Sequence, residues 1–270
     1  MKLNIVPART GARWVREGVR IFWKQPLAFA GLFFMFLAAT VVATMLPLVG
    51  DVLALVLVPA ATVGLMSATR QVLDGRFPLP VTLLVALRQS PAKTRAMLIL
   101  GGLYALAVLL IIGLASLLGD GKLPQLLAQE GGRVTPEMMA KPEVREAARA
   151  AMRQLMMAGL LYIPVSVLFW HAPALVHWHD VPVGKSLFFS AVGVLRNTGA
   201  YLIYGMGWML LMAIAWMALL MAAAMMNNLN LAVSGMFPVG LAIVTMFYAS
   251  LWFTFRDSFA PEPPPQAPSP

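Results

Sequence analysis

The sequence predicts an all-α protein: a polytopic membrane bundle of six transmembrane helices, with short interfacial helices on one side and a pattern of three repeated helical hairpins. Three observations carry this prediction. Of the 270 residues, 60% are hydrophobic and 11% charged, against roughly 45–50% and about 25% in a soluble domain. The apolar residues gather in runs long enough to cross a bilayer, which takes roughly 20 residues at about 1.5 Å rise each. None of these runs shows the alternation of about ten residues expected of a transmembrane strand, and helices alone satisfy their own backbone in lipid at such lengths.

The elements follow in order. Residues 11–24 read as a basic amphipathic helix, with Arg13, Arg16, Glu17, Arg20 and Lys24 on one stripe and Trp14, Val15, Gly18, Val19 and Phe22 on the other. Such a helix is expected in the headgroup plane with its aromatic side dipping inward. Residues 27–46 form the first span. It exceeds the roughly 7–15 apolar residues of a signal peptide, so a retained anchor is expected. Residues 52–69 are the second span, interrupted by Pro59, and 96–119 the third. The loop 120–153 carries two helix starts, Thr135-Pro136-Glu137 and Lys141-Pro142-Glu143, each with Pro in a first turn. From Pro142 a helix can run unbroken into the fourth span, 155–176, with Arg145, Arg149 and Arg153 on one stripe. Residues 197–255 contain no charge, too long a run for one helix. Asn227, Asn228, Asn230 and Phe237-Pro238 divide it into a fifth span, 200–226, and a sixth, 236–255. Residues 1–259 thus form a single integral membrane domain, and the proline-rich tail 260–270 is expected to be disordered.

Short apolar segments at 79–90 and 183–196 precede the third and fifth spans, as residues 11–24 precede the first. Lys24 stands before Ala28-Phe29 at the spacing by which Arg196 stands before Ala200-Tyr201. The chain therefore reads as three copies of one unit: short helix, span, turn, span. Internal repeats are frequent in transporters, and inert membrane folds carry them too.

Charge sets the orientation. The N-terminal segment, the second and fourth connections and the end of the sixth span hold 14 of the 20 basic residues against five acids. The opposite side holds six of each, nearly all in the loop 120–153. The whole net charge of +9 lies on the first side, which the positive-inside rule makes cytoplasmic. The expected location is a bacterial inner (plasma) membrane, multi-pass, with both termini in the cytoplasm and 120–153 in the periplasm. The basic face attracts anionic lipid headgroups. Nucleic acid is not an expected partner, since no recognition module is present. The expected partners are membrane lipids and proteins of the same membrane.

Candidate chemistry is sparse. The chain has no Cys, which removes disulfides, thiolate metal sites and cysteine nucleophiles. All three histidines lie in the segment from Trp170 to Asp180. His177, His179 and Asp180 are donors that suit a divalent metal. Their spacing opposes it, because positions i and i+2 point apart on a helix, and an interfacial cluster of Trp and His explains the same residues. The expectation is no metal and no cofactor. Met217, Met221 and Met225 share one face of the fifth span, and Met152 and Met156 lie near the fourth. Thioethers can bind Cu(I), but filling gaps in helix packing is the favoured role. No span carries an Asp, Glu, Lys or Arg near its centre, which argues against a proton- or cation-coupled carrier. The signatures of metalloproteases, nucleophile elbows and phosphate-binding loops are missing, so no enzyme is expected.

Three segments, Gly64–Pro78, His171–Gly205 and Ser250–Phe259, resemble a family of uncharacterised six-span proteobacterial inner-membrane proteins. More distantly they resemble YciC-type membrane proteins and the membrane domain attached to some glycerophosphodiester phosphodiesterases. The resemblance covers nearly all of the spans. It implies six spans without an assigned activity and supplies no catalytic residues. Its most specific positions, Pro173, Arg196, Asn197, Arg256 and Asp257, form a candidate cluster at the cytoplasmic boundary, in which Arg256 and Asp257 are expected to pair with Arg196 and Asp180. The functional expectation is a non-catalytic protein that organises or assists partners, with a facilitator of a small or lipidic solute as the alternative.

Overall fold

Among the described residues of the computed structural model, six helices are long and apolar enough to cross a membrane. Residues 2–119, 121–129 and 141–260 are described; the helix start at Thr135 and the tail after Ala260 lie outside them. In chain order the elements are strand β1 (Lys2–Leu3), α1 (Thr10–Lys24), α2 (Pro26–Thr44), α3 (Gly50–Leu73), a 3₁₀ helix (Pro80–Leu87), α4 (Pro91–Ser116), α5 (Lys122–Gln129), α6 (Pro142–Phe169), α7 (Ala172–His179), α8 (Val183–Arg196), α9 (Thr198–Met225), α10 (Leu229–Ser258) and strand β2 (Phe259–Ala260). The spans are α2, α3, α4, α6 with α7, α9 and α10.

Most spans run past the expected limits. Helix α3 passes through Pro59 without a break and extends to Leu73, and α10 begins at Leu229 and passes through Pro238. Proline removes one intrahelical hydrogen bond, but in lipid neighbouring helices and local adjustments satisfy the freed groups. The expected helix from Pro142 forms and runs unbroken to Phe169. It then breaks at Trp170-His171, and α7 restarts with Pro173 in its first turn.

Three hairpins, α2/α3, α4/α6 and α9/α10, each pack internally, and a short helix precedes each one. The 3₁₀ helix that introduces the second hairpin packs on the first, chiefly on α3. Helix α8 introduces the third hairpin and packs on α6 and α7. Helix α1 introduces the first hairpin and packs on α9 and α10, the third pair. Each short helix therefore docks on the neighbouring hairpin, and α1 closes the circuit. This order matches the three-unit reading of the sequence.

Helix α1 is the amphipathic helix expected over residues 11–24, but protein covers its apolar face. Trp14 is fully buried, and Gly18, Ile21 and Phe22 are buried with it. Two glycines permit the approach. A Cβ on Gly11 would strike the carbonyl oxygen of Ala200, and one on Gly18 would strike the Ser250 side chain and lie 3.0 Å from the Met246 carbonyl oxygen. Lipid would offer Trp14 the same apolar contact, so hydrophobic transfer does not choose between the two; close packing and polar bonds do.

The methionine stripe is the other departure. Met217, Met221, Met225, Met152 and Met156 are all more than half exposed. They face outward, where flexible thioethers meet lipid, and fill no gap between helices.

Candidate functional site

The described polar groups converge at the basic end of the bundle. There β1 pairs antiparallel with β2, so the two ends of the described chain meet. Asn197, between α8 and α9, is 2% exposed and clamps the N-terminal segment. Its Oδ1 accepts from the Val6 N–H at 2.8 Å, and its Nδ2 donates to the carbonyls of Asn4 and Gly193, each at 3.0 Å. The Asn4 N–H donates to the Ser258 carbonyl at 2.9 Å. Asp257, at the end of α10, accepts from the Trp14 indole N–H at 2.9 Å and pairs with Arg13. Arg256 donates to Asp257 Oδ1 at 2.9 Å, reaches Glu17 at 3.3 Å, and lies over the Phe253 ring.

Two of the expected partners change. Arg256 and Asp257 bind Glu17, Arg13 and Trp14 of α1, not Arg196 and Asp180. Asp180 pairs with Lys93 at 2.7 Å, and Arg196 is exposed with no ion pair among the described residues. Asn197, Arg256 and Asp257 do come together, joined by the N-terminal segment. The sequence does not disclose that link, because an amphipathic helix carries the same stripe beside lipid as beside protein, and nothing in it marks Arg13, Trp14 and Glu17 as partners of α10.

The histidine segment holds no metal-ligand set. Helix α7 stays wound through His179, so His177 and His179 point apart. His177 Nε2 lies 3.1 Å from the Gln89 amide nitrogen, and the His179 ring packs near Phe255. Asp180 caps α7 in the left-handed region at φ 53°, a conformation that short polar side chains tolerate. Among the described residues no group of three or more His, Cys, Asp or Glu is placed to hold a metal. His171 is fully buried at the break between α6 and α7. Its backbone N–H donates to Ser190 Oγ at 2.9 Å, and its Nε2 lies 2.5 Å from the Tyr201 hydroxyl.

Pro173 leads away from the clasp to a different feature. It lines a cavity of about 190 Å³ between α3, α4, α6, α7 and α10, together with Pro59, Tyr104, Tyr162, Trp170 and Tyr248. The Tyr104 and Tyr162 hydroxyls bond to each other at 2.9 Å across α4 and α6. Trp170 meets Tyr201, Tyr204 and Phe247 edge-on. Tyr162 is 41% exposed, so the cavity reaches the surface of the bundle beside α6. Helix α6 packs on α4 and α8, and among the described residues it has no extensive contact with α9 or α10. The sequence held a signal for this site. It has five tyrosines, and although Tyr favours the membrane interfaces, all five lie in or beside this aromatic group.

The cavity presents rings and hydroxyls without a fixed charge. That arrangement can hold an apolar chain or a weakly polar group, and the lining contains no Asp, Glu, Lys, Arg or His.

No family model matches the chain, and no solved structure matches it. A protein of Burkholderia thailandensis named a probable inner membrane protein is 36% identical over 269 residues, a match covering 98% of this chain and 96% of that protein. Identity at this level over nearly the whole length, together with six helices of spanning length, places the chain in a membrane: it belongs to the family of that inner membrane protein.

Proposed function

We propose that this is a non-catalytic protein of the inner membrane that organises or assists its neighbours in the bilayer, with both termini in the cytoplasm. The observation that carries this reading is the contrast between the two parts of the molecule. The basic end is a locked collar of β1, α1, the α8–α9 junction and the end of α10, held by Asn197 and Asp257. The middles of the spans carry no Asp, Glu, Lys or Arg. A rigid cationic collar over spans whose middles carry no Asp, Glu, Lys or Arg suits contact with headgroups and partner proteins better than coupled transport. The positive-inside rule supports the orientation. The distant resemblance to YciC-type proteins and to the phosphodiesterase membrane domain belongs to this same proposal. Affinity purification in mild detergent followed by native mass spectrometry tests it. Lipid or polypeptide should copurify in defined ratio; a strictly solitary protein with measurable solute flux contradicts it.

The aromatic cavity favours a second reading, facilitation of a small or lipidic solute. A chamber of about 190 Å³ that reaches the surface of the bundle beside Tyr162 is a place where a lipidic solute can leave the bilayer. Vesicles reconstituted with the protein should then show flux of an apolar or weakly polar solute. Absence of flux across a broad panel removes this reading and leaves the first intact.

A further inference from the structure

The stretch from the last turn of α3 to the first turns of α4 carries five basic residues, and three are already engaged. The Arg70 guanidinium lies 5.8 Å from the centre of the Trp252 ring. Arg76 pairs with Asp74 at 2.9 Å, and Lys93 pairs with Asp180 at 2.7 Å. The Arg88 and Arg95 guanidinium groups have no ion pair or hydrogen-bond partner among the described residues, and both residues are exposed. They line one groove of about 770 Å³, whose apolar lining includes Leu87, Leu98 and Ile99. Leu98 and Ile99 are each 47% exposed.

The spacing gives the groove a direction. Arg95, Leu98 and Ile99 stand at i, i+3 and i+4 and share one face of α4. The two apolar residues lie about 4.5–6 Å further along the helix axis than Arg95, toward the middle of the span. Arg88 stands at the end of the 3₁₀ helix, across the short turn that Ser90 closes by capping α4. The groove is therefore cationic where the span meets water and apolar where it enters hydrocarbon. Guanidinium groups match phosphate oxygens in a two-pronged fork.

We infer that this groove binds an anionic glycerophospholipid, its phosphate held by Arg88 and Arg95 and an acyl chain lying along Leu98 and Ile99. Charge complementarity selects the headgroup, and the apolar floor selects a lipid over a soluble phosphate. The groove is separate from the aromatic cavity. It needs only the membrane setting, since headgroups lie at both faces of a bilayer.

Native mass spectrometry of the full chain in mild detergent tests the inference, with phosphatidylglycerol and phosphatidylcholine of equal chain length as probes. The wild type should hold phosphatidylglycerol on the order of tenfold or more tighter. The double variant Arg88→Gln/Arg95→Gln should lose most of that preference. Arg16→Gln/Arg20→Gln, which removes equal charge from the exposed face of α1, should keep it to within about twofold. Leu98→Ser, which leaves both charges, should weaken phosphatidylglycerol without restoring equality with phosphatidylcholine. An unchanged preference in Arg88→Gln/Arg95→Gln overturns the site. So does an equal loss in the α1 variant, which would mean diffuse attraction, or full displacement by millimolar glycerol phosphate, which would mean a soluble phosphate site. If the wild type retains lipid and the double variant retains it equally, the groove fails while the functional reading stands.

Discussion

Asn197 shows how much one buried amide can hold. Its side chain uses both its oxygen and its nitrogen on backbone groups from two distant parts of the chain. Asn197→Ala strands the Val6 N–H and two carbonyls, and each buried polar group left unpaired costs about 1–3 kcal/mol. Relaxation and water will recover part of that, so a loss of roughly 2–4 kcal/mol is expected, read as a lower melting temperature in detergent. At Asp257 the substitutions should rank. Asp257→Asn keeps one acceptor oxygen, which can serve the Trp14 indole, and loses the charge and the second acceptor, whereas Asp257→Ala loses both oxygens and the charge. Arg13 is 46% exposed, and exposed ion pairs contribute little, about 0–1 kcal/mol. The alanine variant should therefore melt clearly lower than the asparagine variant; equal melting would show that the indole bond contributes nothing. Tyr104→Phe should cost little stability, about 0.6 kcal/mol for a typical hydrogen bond between membrane helices. A large loss of copurifying lipid with little loss of stability would identify the cavity as the ligand site. The sequence marked Asn197 and Asp257 for notice, but not their partners Asn4, Val6, Arg13 and Trp14, because those lie more than 190 positions away.

Helix α1 was legible as an element and illegible as a contact. Its stripe of Arg and Trp has the period of a helix beside an apolar surface, and lipid and protein are equally apolar surfaces. Gly11 and Gly18 were the available clue. Spaced seven apart on the apolar side, they mark where a neighbouring backbone comes close, as small residues do between membrane helices. Gly18→Val should push α1 away from Ser250 and Met246, lower the melting temperature by several degrees and expose the N-terminal segment to protease. Gly31→Val, in α2 where an added Cβ meets nothing within 4 Å, is the matched control and should be nearly silent. Equal effects of the two changes would remove the packing argument. Span existence was legible throughout, because about 20 apolar residues leave few choices. Span limits were not, because Pro59 and Pro238 read as breakers in water and are tolerated between packed helices.

At the scale of the whole molecule, three hairpins each carry a short helix onto a neighbour, and α1 completes the circuit. The order of short helix, span and span was readable from composition. Which hairpin receives which short helix was not, since that depends on shape matches such as Gly64 against the backbone of Leu83. The aromatic cavity was likewise invisible, because its walls come from five helices spread from Val58 to Leu251. The functional reading depends on which face of the membrane carries the basic collar. The absence of native cysteine makes that measurable one position at a time. Single cysteines at Ala92, Gln125 and Gln266 can be labelled in intact cells and after permeabilisation. Labelling of Gln125→Cys from outside, with Ala92→Cys and Gln266→Cys reacting only after permeabilisation, is the predicted result; the reverse pattern would contradict a cytoplasmic collar and the account built on it.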